Sequence, residues 1–94
     1  MPYMLARHKV EDYAKWKSGF DKAAAMRKAG GEKSYQIFHT AEDPNDLVLL
    51  FEWDNLDNAR KYMQSEELRE AMQRGGVIGQ PDICFLEEVE KGAV

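Results

Sequence analysis

Several things are missing from this chain of 94 residues, and each absence closes a functional class. There is one cysteine, Cys84, so no internal disulfide can form, and a reducing, cytoplasmic setting is expected. No apolar run approaches the ~20 residues a membrane helix requires. The N-terminus reaches Arg7, His8 and Lys9 after a few apolar residues, which leaves no apolar core for a signal peptide. Positive charge is not in excess: 13 basic against 17 acidic residues give a net charge of −4, with the signs interleaved. A nucleic-acid or anionic-membrane surface would need a basic patch. Two histidines and one cysteine lie too far apart for a zinc-site spacing. Gly75, Gly76 and Gly79 follow a helical segment rather than a strand, so they make no dinucleotide fingerprint. No glycine-x-serine-x-glycine elbow occurs.

What is present reads as one domain over residues 1–94. Tyr3 to Lys9 reads as a strand. Glu11 or Asp12 opens a helix on which Tyr13, Trp16, Phe20 and Ala23 form one apolar stripe, and Gly30-Gly31 closes it. Ser34 to Thr40 and Leu47 to Trp53 read as two strands joined by a turn over Ala41 to Asp46. Asp54 or Asn55 caps a second helix carrying Leu56, Ala59, Tyr62 and Met63 on one side. Ser65 caps a further short helix with Leu68, Ala71 and Met72 facing inward. Gly79 to Asp82 reads as a turn, and Ile83 to Val89 as the last strand. The order strand, helix, strand, strand, helix, strand is the ferredoxin-like α+β arrangement, an antiparallel sheet with helices on one face. RNA-recognition domains share this order but carry basic, glycine and aromatic residues on the third strand. Here that strand is aliphatic.

The run Leu47-Val48-Leu49-Leu50-Phe51 does not alternate, so this strand is expected to be covered on both sides. The other strands also carry apolar groups on both parities. Helices can blanket one face only, and the other would be a larger apolar patch than a monomer usually shows. Burying about eight such side chains, at ~1.5–3 kcal/mol each as an upper bound, is enough to drive pairing. A homodimer whose two sheets close over each other into an α+β barrel is therefore expected.

The chain also resembles a family. His8-Lys9-Val10, Asp12, Tyr13, Trp16, Arg27, Gly30, Asp43-Pro44, Phe51-Glu52-Trp53, Ala59-Arg60, Leu68 and Gly76-Val77 look like the dimeric α+β barrel group that includes the antibiotic biosynthesis monooxygenases, in its small uncharacterised branch. The resemblance spans about Leu5 to Leu86. It implies a cavity for a small aromatic substrate, and oxidation without metal or flavin in some members, so no cofactor is expected. The haem-degrading branch uses a histidine on its second helical segment. Residues 55 to 75 hold none, which disfavours that chemistry.

His8 closes the first strand on the same face as Met4 and Ala6. A sheltered imidazole there suits a general base that takes a phenolic proton before reaction with oxygen; the plainer reading is a solvated strand end. Glu52 interrupts the apolar third strand and is a second acid–base candidate, or simply a carboxylate emerging beside a cation. Arg27 continues the Tyr13 stripe and can grip a substrate oxygen or Glu52, or merely face the helix dipole. Trp16, Tyr35, Trp53 and Phe85 can shape an aromatic pocket, or can be plain core. His39, beside the hairpin turn, is expected to be exposed, and Cys84 to be a buried, inert thiol. A non-catalytic dimer that binds a small ligand is the alternative to an enzyme.

Overall fold

The computed structural model describes residues 1–94. The elements run β1 (Tyr3–Val10), α1 (Tyr13–Lys22), α2 (Ala24–Gly30), β2 (Glu32–Thr40), β3 (Asp43–Trp53), α3 (Leu56–Met63), α4 (Glu66–Arg74) and β4 (Val77–Leu86). The four strands form one antiparallel sheet in the order β2-β3-β1-β4. This is the ferredoxin-like α+β fold expected from the order of elements.

Local chemistry starts each helix. Asp12 accepts the Lys15 amide at the head of α1, Asn55 accepts Asn58 at 2.8 Å, and Ser65 accepts Leu68. These side chains satisfy amides that have no intrahelical partner. The first helical segment is not continuous as its stripe suggests. It breaks at Ala23, and beside the break the Phe20 carbonyl accepts from Arg27 Nη1 at 2.6 Å. Gly31 ends α2 with φ 120°, in the left-handed region that favours glycine.

Strand alternation divides the sheet. Met4, Ala6, His8 and Val10 of β1 and Leu47, Leu49, Phe51 and Trp53 of β3 are all buried beneath the helices. Trp53 and Leu47 are wholly enclosed, and each contributes of order 1.5–3 kcal/mol of apolar burial. The other parity faces away from every helix. Leu5 pairs with Leu50 and Cys84, Phe38 with Val48, and Tyr3 with Leu86. No segment of the same chain roofs this row: Phe38 stays 50 % exposed, and Val48 and Leu50 are half-buried. On this face Arg7 donates to both oxygens of Asp46, at 3.2 and 2.8 Å, and holds the carboxyl below its usual range.

Three sequence expectations need correction. The hairpin turn is only Ala41-Glu42, because β3 begins at Asp43 and Thr40 pairs with Asp43. Gly79 to Asp82 does not reverse the chain. It lies within β4, where Arg7 pairs with Asp82 and Lys9 with Ile78, so Gly79, Gln80 and Pro81 together stand opposite His8. This is a β-bulge, with Gly79 at φ 70° and with a proline that has no ladder hydrogen bond to lose. Cys84 is exposed on the helix-free face rather than buried.

Candidate functional site

Between the sheet and the helices lies a cavity of about 80 Å³. On the same scale one water needs ~10–15 Å³, so it is room for a few waters or part of a small ring. Its floor is β1 and β3, through Met4, Ala6, His8, Leu49 and Phe51. Trp16, Phe20 and Arg27 close one side, Tyr62 and Met63 of α3 another, and Leu68 and Met72 of α4 a third. Pro81 reaches it from the bulge.

His8 is the one titratable group with an unmet need here. It is 8 % exposed, and its Nδ1 is buried without a hydrogen-bond partner. Removal from water lowers its pKa, opposed more weakly by the Lys9 backbone and the Asp46 carboxylate. It is therefore a neutral imidazole at neutral pH. The bulge explains its setting. Opposite His8, three residues of β4 stand against one, so His8 has no cross-strand partner in register there. The Trp16 ring lies 5.7 Å from the imidazole, centroid to centroid.

Arg27 is interior, not a cation at the helix surface. It is 3 % exposed, and its Nε donates at 3.1 Å to both oxygens of Glu32, the first residue of β2. Its guanidinium lies 3.6 Å from the Phe20 ring centroid, a cation–π contact that burial strengthens. Phe20 in turn stacks on Trp16 at 4.9 Å and meets Tyr35 edge-on at 5.0 Å. Burial pushes the Glu32 carboxyl up against the pull of Arg27. Burial also raises Tyr62, which keeps its O–H as a donor at the cavity wall.

The structure thus gathers His8, Trp16 and Arg27 on one cavity and leaves the other sequence candidates outside it. Glu52 pairs in register with Tyr3 on the helix-free face and accepts the Tyr3 hydroxyl at 3.3 Å. It shares no space with His8, and Arg27 grips Glu32 in its place. Tyr35 is 42 % exposed at the far edge of Phe20. Trp53 is enclosed core against Tyr62, at 5.4 Å. Phe85 is half-buried, with the Arg60 guanidinium 5.3 Å from its ring. His39 is exposed, as expected. Sequence reasoning passed over Glu32 and Tyr62 as parts of the site. Tyr62 was legible as an inward helix position; Glu32 carried no signal beyond its place after a glycine pair. No three His, Cys, Asp or Glu side chains converge as a metal-ligating group.

Comparison with solved structures places the fold among antibiotic biosynthesis monooxygenase-like proteins. The chain superposes on one assigned to that group from Bordetella bronchiseptica with a TM-score of 0.78, at 19 % identity, over 95 % of this chain and 97 % of that one. A protein of the same assignment from Caulobacter crescentus gives 0.73 at 22 % identity, over 95 % and 90 %. SnoaB, a cofactor-independent oxygenase from Streptomyces nogalater, gives 0.77 at 14 % identity, over 96 % and 94 %. Identity this low establishes a common fold and not a common reaction. No family model matches the chain, and no curated protein matches it by sequence.

Proposed function

We propose that this protein is a cofactor-independent oxygenase for a small phenol-like aromatic, with His8 as the base. One observation carries the reading: His8, more than nine-tenths buried and with no hydrogen-bond partner at Nδ1, lines an aromatic cavity. A buried polar atom without a partner costs about 1–3 kcal/mol, and a ligand hydroxyl would relieve that cost. His8 would take the phenolic proton. The resulting electron-rich ring would then reduce dioxygen itself: a C–O bond forms, a ring C–H bond breaks, and the phenol is oxidised to a quinone while the second oxygen atom leaves as water with the ring proton and the proton taken by His8. Trp16, Phe20 and Phe51 would hold the ring, and Tyr62 and Arg27 would supply donors for developing negative charge on oxygen. That a cofactor-independent oxygenase has this fold supports the reading. Glu52 has no part in it, because it lies on the opposite face of the sheet.

The size of the cavity favours a second reading. At about 80 Å³ much of the space is already filled by side chains, as suits a dimer that binds a small ligand without turning it over. Oxygen-electrode assays with small phenols and hydroquinones separate the two. We expect oxygen uptake that falls at least ~100-fold in His8→Ala, the scale of a lost general base. The rate should fall as pH drops through the His8 pKa, which lies below the ordinary histidine value, because the protonated ring cannot accept a proton. Uptake that survives His8→Ala unchanged removes His8 as the base. Binding with no uptake selects the second reading.

The proposal includes a second copy of the chain on the helix-free face. That face presents Leu5 beside Leu50, Phe38 beside Val48, and Leu86 beside Tyr3, with Arg7 between Val48 and Asp82 and with Glu52 beside Tyr3. A face that carries apolar side chains together with charges of both signs can be self-complementary across a two-fold axis.

A further inference from the structure

The outer seam between α1 and α4 is a groove of about 580 Å³ with Lys15 and Lys22 on one bank and Glu67, Glu70 and Arg74 on the other. Three residues line both this groove and the inner cavity: Gly19, Ala23 and Ala71. All are small, and they stand where the two spaces adjoin. Gly19 lies inside α1, although glycine is the poorest helix former after proline. Packing does not require it, since a Cβ added there would meet nothing within 4 Å. Its backbone does not require it either, since its φ is not positive. The missing side chain therefore leaves open space at the neck. Behind the neck, His8, 8 % exposed and with no hydrogen-bond partner at Nδ1, lines the cavity that the proposed function takes as the ligand site.

A second surface groove, between α2 and β2, touches the cavity wall only through Arg27. That side is stoppered, because Arg27 is tied to Glu32 and to the Phe20 carbonyl. The α1–α4 neck has no such hydrogen-bonded closure. We infer that the cavity is loaded through the α1–α4 seam, with Gly19 and Ala71 as the residues that limit which aromatic can pass. The inference rests on the reading of the cavity as the ligand site, and the experiment tests the two separately.

The probe is 4-fluorophenol, followed by fluorine NMR line shapes that yield Kd and both rate constants. Wild-type protein should bind it, and His8→Ala should weaken binding by at least about fivefold, the loss of one hydrogen bond. Gly19→Leu and Ala71→Leu narrow the neck from opposite walls, so either one tests the route if the other fails to fold by circular dichroism. Each should slow association and dissociation together by about tenfold or more while Kd moves less than about threefold, since a barrier changes rates and not equilibria. Ala14→Leu, on the exposed side of α1, should change neither. His8-dependent binding with wild-type rates in both neck variants would overturn the route and leave the site standing. A weakened Kd with unchanged association would make these residues walls of the site, and would overturn the route as well. Absence of binding, or binding indifferent to His8, would overturn the site and the route together.

Discussion

At the scale of single residues, the Arg27–Glu32 pair has the largest consequence for stability. Both side chains are nearly inaccessible, at 3 % and 7 % exposure, so neither charge can turn to water if its partner is removed. We expect Arg27→Met alone to cost about 3–5 kcal/mol, because it strands a buried carboxylate. The double variant Arg27→Met, Glu32→Leu should cost far less than the sum of the two single changes, since no charge is left to be paired. Urea unfolding of the four proteins measures this directly. Costs that simply add would mean that the two side chains act independently. His8 shows the opposite use of burial. Its Nδ1 has no hydrogen-bond partner, and burial lowers its pKa despite the nearby Asp46 carboxylate.

At the scale of elements, two glycines in neighbouring segments do different things. Gly31 ends α2 in the left-handed region, and a Cβ there would collide with the Asp54 carboxylate. Gly19 lies in open helix. Gly31→Ala should therefore destabilise by more than about 1 kcal/mol, whereas Gly19→Ala should stabilise by about 0.5–1 kcal/mol. Thermal melts of the two variants check both signs. The bulge in β4 belongs to this scale as well. Read along the chain, Gly79, Gln80, Pro81 and Asp82 carry turn chemistry. In the sheet the same residues stay in the strand and shift its register opposite His8. A glycine and a proline serve a turn and a bulge for the same reasons, positive φ and no amide to satisfy. One sequence cannot tell the two apart.

At the scale of the molecule, the helix-free face is where the proposed second copy would sit. We expect light scattering to give twice the chain mass at micromolar concentration. Leu50→Glu should shift the protein to monomer by placing like charges within the covered face. A wild-type monomer would remove the second copy from the proposal. Periodicity, caps and glycine stops were enough to place the four strands in order and the helices on one side, because these are local consequences of side-chain spacing and backbone geometry. The same alternation put His8 on the face of Met4 and Ala6, which the fold turns inward. Register was beyond it. The pairing of Tyr3 with Glu52 sends that carboxylate to the far face, and no count along the chain reveals which residue of one strand meets which of another. Nor does a helical stripe show that Arg27 will turn onto Glu32 rather than Glu52. That outcome follows from where β2 begins. The residues by themselves determined which elements form and which apolar stripes they carry. The folded sheet alone decided which ionisable groups meet, because charge partners are chosen by distances across strands that sequence separation does not set.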